Sequence, residues 1–511
     1  MFIEEPKRKI IPRWRDFVTT TALGELASDE SSDSGSKASP KPQYSIDKIC
    51  TAWASNKSLW YALDLVSAAL AVEEKERPEV QEAALFIIEN AADSPVPGVA
   101  VARSVLNQHP GKPSADDEED ELTVANLRRG IHTQRQRLAT DPRNSVVWVD
   151  LARLYTIAGQ HEQALRAIEV AYKQQPDNRF VLRSASRFFV HIGEHDRALR
   201  VLRNSETVSL DPWLAAAEIG VSGFVGKSSR LVKSAKSLLA DDNVSPFMGS
   251  ELASALGTLE LQDGNAKLAK KFFQRSLTAP TENSLAQAEW ATKQIVSLES
   301  AVSATDAPRS YEAKAIHGFR LGDWNLVRGS TLRWLRDQPF SSRPAGLLSY
   351  IYSEIFDNYS DAERILKQSL KSNPSDRLLK NNLAFVLICQ GQLIEAEKIL
   401  ADVDPRAVDD EFSVTLIATL GLLFFRRGEY QEGTQLYREA IEQFRRKRLA
   451  RYEALAAIHL ARETMLAKLP DGEAILREAA EAASKVPDAA DISFLLGKLE
   501  AIQGDTGTAA R

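Results

Sequence analysis

Residues Trp148 to Pro176 read WVDLARLYTIAGQHEQALRAIEVAYKQQP, and residues Leu182 to Leu210 read LRSASRFFVHIGEHDRALRVLRNSETVSL. In the first stretch Trp148, Leu151, Tyr155, Gly159, Ala164, Ile168, Ala171 and Pro176 follow one another at gaps of 3, 4, 4, 5, 4, 3 and 5. Thirty-four residues on, the same slots hold Leu182, Ala185, Phe189, Gly193, Ala198, Leu202, Ser205 and Leu210, and the closing proline slips to Pro212. Gaps of 3 and 4 put apolar residues on one stripe of a helix. Gly159 and Gly193 interrupt the period where a tight turn needs a residue with free backbone angles. Ala164 and Ala198 stay small where two helices of a hairpin cross. Each unit is thus a helix hairpin that cannot bury its apolar face without a neighbour.

This pattern resembles the tetratricopeptide repeat (TPR), with its W-x2-L-G-x2-Y, A-x3-F and closing Pro over 34 residues. The first unit departs mildly, with Ala152 in the usual glycine slot. Partial matches follow at Leu256-Gly257 with Gly264 and Ala269, at Leu383-Ala384 with Gly391 and Ala396, and at Leu420-Gly421 with Gly428, Gly433 and Tyr437. A last, clipped unit holds Leu496-Gly497, Gly504 and Ala509, so the chain stops short of an expected capping helix. The resemblance implies an all-α fold, a right-handed superhelical solenoid of roughly nine to eleven TPR-like helix hairpins.

The turn glycines fall at 159, 193, 264, 322, 391, 428 and 504. Three of their spacings are near twice 34, so a degenerate turn is expected inside each, at Gly226, at Asp357 and within 446–486. The interval from Gly264 to Gly322 does not fit the period. A helix around 282–300 and the loop AVSATDAPRS at 301–310 mark a boundary there. We therefore expect a basic arm and Ser-rich linker at 1–45, a helical segment with an acidic loop (116–121) at 46–140, a proximal repeat block at 141–300 and a distal block at 301–511. The arm carries Lys7, Arg8, Lys9, Arg13 and Arg15 beside Trp14 and Phe17. Those residues read as a tethered docking element that reaches a partner or the acidic run.

With 511 residues, 44% hydrophobic and 26% charged, the chain has ordinary globular composition. Its formal charge of −6 provides no general field for nucleic acid, so that partner is disfavoured. Two cysteines, Cys50 and Cys389, make neither a disulfide framework nor a zinc site. No secretory leader is legible, and the longest apolar run, Val414 to Phe425, is too short to span a membrane, so a cytoplasmic location is expected. His191 and His195 have an H-x3-H spacing but flank a turn glycine, and Gly226-Lys227-Ser228 lacks the earlier glycine of a phosphate loop. We expect no catalytic residues, no metal and no cofactor.

Function then falls to the inner helices of the hairpins, which in this architecture line a concave groove. Val149, Arg153, Phe180, Arg183, Arg187 and His191 are the expected partner-binding residues of the proximal groove. Phe385, Phe425 and Arg426 are those of the distal one. Three arginines amid apolar neighbours suit an acidic or amphipathic protein segment, because guanidinium groups fork onto carboxylates. The expected function is a non-catalytic scaffold or adaptor. A regulatory or sensor subunit of a multi-protein complex, for example in bacterial stress or defence, and an RNA-binding helical-repeat protein are the alternatives. A chaperone-tail clamp is disfavoured, because Val149, Arg153 and Ser184 stand where that clamp needs Lys and Asn.

Overall fold

The computed structural model describes residues 8–25, 46–55, 57–71, 74–90, 96–106, 124–241, 244–403 and 410–508. The acidic run at 116–121, most of the Ser-rich linker and Ala509 lie outside the described residues. Among the described residues every regular element is helical. The chain forms two compact units, residues 7–310 and residues 311–511.

In the first unit, helices Ser145–Ile157 and His161–Gln174 make one hairpin, and Arg179–His191 with His195–Arg203 makes the next. Pro212–Ser222 with Val232–Ala240 and Pro246–Gln262 with Ala266–Ser276 continue the series. It closes on Glu282–Thr292, a 3-10 turn at Val296–Leu298 and a short helix Glu299–Ser303. Each inner helix begins at a polar cap: the side chains of Asn144, Asn178, Asp211, Ser245 and Thr281 accept a first-turn N–H. Such caps are each worth about 1 kcal/mol. The hairpins turn on glycines with left-handed backbone, Gly159 at φ 74° and Gly193 at φ 80°. Ala164 and Ala198 are fully buried where the paired helices cross. Before the repeats, Ile46–Ser55, Leu59–Ala71, Pro78–Glu89 and Val96–Val105 pack around Trp53, Leu65 and Ile87.

In the second unit the pairs are Tyr311–Leu321 with Trp324–Asp337, Ser342–Tyr350 with Tyr359–Ser372, and Arg377–Cys389 with Leu393–Ala401. Glu411–Arg427 with Tyr430–Arg446 and Ala450–Leu466 with Gly472–Ser484 follow, and Ala490–Thr508 ends the series. Helix Ser342–Tyr350 runs on into one π-helical turn, Ile351–Ile355. The two degenerate turns here are made without glycine, by Asp357 at φ 52° and Lys468 at φ 54°. Gly421 and Gly433 bring their helices into backbone contact, since a Cβ on Gly421 would stand 2.9 Å from the Tyr437 ring and 3.1 Å from the Gly433 carbonyl.

Candidate functional site

Helix Glu282–Thr292 has the sequence ENSLAQAEWAT, and all its residues are buried, the polar ones included. A polar helix buried all round has an occupant on its polar face. That occupant is the N-terminal arm of the same chain. Residues 8–16 run without regular structure along the inner helices of the first unit and end in a short helix, Phe17–Ala22, capped by Asp16.

The wall holds the backbone of the arm by hydrogen bonds from its side chains. Gln287 Nε2 donates to the Arg8 carbonyl at 2.9 Å, Asn283 Nδ2 to Ile11 at 2.9 Å and Arg153 Nε to Trp14 at 3.2 Å. In the other direction the Phe17 N–H donates to Asp150 Oδ1 at 3.0 Å. The arm's cations meet carboxylates and amides. Arg15 bridges Glu25 and Glu282 at 3.0 and 2.8 Å, and Arg8 donates to Asn283 and Gln287. Lys9 donates to the Gly223 carbonyl and lies over the Phe224 ring. Trp14, fully buried, sits edge-on to Phe188, and Phe17 edge-on to Phe180 at 5.3 Å between centroids. The wall leaves room at Gly220, where a Cβ would fall onto the carbonyl oxygen of Ile10 and 3.0 Å from its carbon.

Electrostatics follow from this packing. Burial pushes the Asp150 carboxyl up to about 8, reinforced by Asp16 and opposed by Arg137 and the Phe17 N–H. Burial likewise raises Glu25 to about 7 against the lowering effect of Arg15. Arg183 is buried but stays charged, because Glu251 at 3.1 Å and Glu25 outweigh its desolvation.

The residues expected to bind a partner are therefore placed as follows. Val149, Phe180, Arg183 and Arg187 are buried, Arg153 grips the arm, and His191 stacks toward His161 at 5.9 Å. Arg183 is already paired with Glu251 within the wall, and the segment seated in this groove is the chain's own basic arm, whose Arg15 meets Glu282 and whose Phe17 N–H meets Asp150. The arm's docking surface is this wall.

In the second unit a pocket of about 300 Å³ is lined by Glu354, Tyr359, Arg426, His459, Arg462 and Lys498 among others. Arg426 binds Glu463 at 2.8 Å, and Arg462 reaches both Glu463 at 3.0 Å and Glu354 at 3.9 Å. Burial raises Glu354, with Arg462 opposing it, and lowers His459. Phe385 and Phe425, expected as partner-binding residues of the distal groove, are buried. Phe385 packs on His459, and Phe425 packs between Tyr430 and Tyr437, a consequence of the tight helix pairing at Gly433.

Among the described residues no group of histidine, cysteine and carboxylate side chains could hold a metal ion, and no helix is long and apolar enough to cross a membrane. A tetratricopeptide-repeat profile matches residues 356–419, which take in helix Tyr359–Ser372, the hairpin that turns at Gly391 and the first part of helix Glu411–Arg427. No curated protein matches the chain. Among solved structures it is similar to yeast Tom70 at 13% identity, over 88% of this chain and 96% of that one. The TM-score is 0.27.

Proposed function

We propose that this tetratricopeptide-repeat protein is a non-catalytic interaction scaffold whose first groove grips an extended, basic, aromatic-bearing protein segment. One observation carries the reading: a segment of that type, Arg8–Phe17, lies in the groove with its carbonyls held by Gln287, Asn283 and Arg153. Binding through the main chain gives affinity for extended segments, and the side-chain pockets give selectivity. Two pockets are offered by the wall, one for Trp14 against Phe188 and one for Arg15 at Glu282, the arm's own Glu25 also meeting that guanidinium. The carboxylates of the wall favour cationic protein segments over nucleic-acid phosphates. A cytoplasmic location fits a scaffold of this kind.

The test is a phage-displayed library of twelve-residue peptides, selected on the full chain carrying Trp14→Ala to loosen the resident segment. Winners should combine Arg or Lys with an aromatic residue, and should slow hydrogen exchange in 150–190 and 251–287. Acidic winners, or protection confined to other residues, would refute the reading.

A further inference from the structure

We infer that the arm is a built-in competitor, so that a partner's basic segment reaches the groove only by displacing Arg8–Phe17. This rests on the reading that the groove binds such segments, and adds that the chain regulates its own access.

Three observations make the arm a displaceable occupant. Its residues 8–16 form no regular element, so release costs no helix beyond the first turn of Phe17–Ala22, which Asp16 caps. The wall keeps a polar network of its own: Asn283 also donates to Glu251 at 3.1 Å, Gln287 to the Thr258 hydroxyl at 2.9 Å, and Arg183 to Glu251 at 3.1 Å. Those partners remain when the arm leaves, so an empty groove does not strand all its buried polar groups. The arm belongs to the same chain as its groove, so it competes intramolecularly, with residues 26–45 between it and the next described helix, Ile46–Ser55. A tethered ligand acts at an effective concentration of order millimolar, and a competitor in solution meets an affinity lowered by the fraction of grooves that are open.

The probe is a synthetic peptide of residues 7–25 with a fluorophore, titrated by anisotropy against three full-length chains. They are the parent, Trp14→Ala with Arg15→Glu, and that double variant with Gly220→Ala added. The added methyl at 220 obstructs the path of any backbone lying where Ile10 lies. Binding to the double variant should be at least tenfold tighter than to the parent, and should vanish with Gly220→Ala. Equal binding to parent and double variant, still abolished by Gly220→Ala, would overturn the competition while leaving the groove reading intact. No binding by a double variant that keeps the parent's helical signal would overturn both. A second measurement does not depend on how the variants fold. A protease site placed within 26–45 of the otherwise unchanged chain is cut, and the labelled peptide should then exchange into the nicked protein. A nicked protein that retains its arm and takes up no peptide makes the arm a fixed part of the core and overturns the inference. So does a parent found by light scattering to be a dimer that Gly220→Ala dissociates, since the arm then fills a second copy.

Discussion

Gly220→Ala sets two effects against each other at one atom. Gly220 lies inside helix Pro212–Ser222, where alanine is favoured over glycine by about 1 kcal/mol, so the body of the unit should be slightly stabilised. The new methyl, however, collides with backbone: it meets the Ile10 carbonyl, which has no rotamer to escape into. The start of the arm must lift. That exposes Ile10, which is 2% accessible, at about 1.5–3 kcal/mol. It also breaks the hydrogen bonds from Asn283 to Ile11 and from Gln287 to Arg8, at about 1 kcal/mol each. The docking of residues 8–11 should weaken by about 3–5 kcal/mol, a hundredfold or more in the open population. Trypsin reads this directly, because the arm carries Arg8, Lys9, Arg13 and Arg15, and cleavage of a briefly opened segment follows its open population. Cleavage after Lys9 should accelerate at least a hundredfold while the helical signal is kept, and the melting temperature should fall, since docking loses more than the helix gains. Gly223→Ala is the control: its methyl meets only the movable Lys9 side chain, 2.9 Å from Nζ, and should change cleavage little. Unchanged cleavage in Gly220→Ala would show that the arm shifts without leaving, and that the groove is not closed by this contact.

Asp150 and Glu25 have folded-state values near 8 and 7, above their unfolded values near 4, so the folded chain binds more protons between those limits. Stability should therefore fall as pH rises from about 4 to 8, by up to about 1.4 kcal/mol per pH unit for each group, and level off above. Asp150→Asn should flatten that slope and raise the urea midpoint at pH 8.5, whereas identical midpoint–pH profiles would refute the assignment. Arg183→Met leaves Glu251 buried beside Glu25 and should cost about 3–5 kcal/mol in urea unfolding; a loss under 1 kcal/mol would mean the pair is not desolvated. Ala164→Leu forces bulk into a closed crossing and should cost about 1–3 kcal/mol, seen as a lower melting temperature, and a melt like the parent's would contradict the crossing geometry.

The period of 34 was enough to place the hairpins because it is written in residues that the turn and the crossing demand. Gly159, Gly193, Gly226 and Gly391 adopt the left-handed backbone that their slots require, and Asp357, marked only by spacing, does so as well. Lys468 was not legible, since a lysine carries no turn signal of its own. Whether Phe385 and Phe425 were covered was not legible, because an inner-helix stripe reads the same whether a neighbouring helix covers it or not. Arg153, Arg183 and Arg187 stand out in the sequence, while the glutamates opposite them are spread over Glu251 and Glu282, far along the chain. The available clue was ENSLAQAEWAT, a helix without an amphipathic face, next to an arm rich in the complementary charge.

The arm and its wall are also separated in time. Arg8 meets Gln287 across 279 residues of chain, which a ribosome working at about 5–20 residues per second adds in roughly 15–55 seconds. Within that interval Trp14 and Phe17 wait for Phe188 and Phe180, and Arg8 and Arg15 wait to its end for Gln287 and Glu282. Any factor that recognises a nascent basic, aromatic stretch therefore has first access to it. The latch closes last, after the helix carrying Asn283 and Gln287 has folded, so each molecule passes through a period in which its groove and its arm are both open to others.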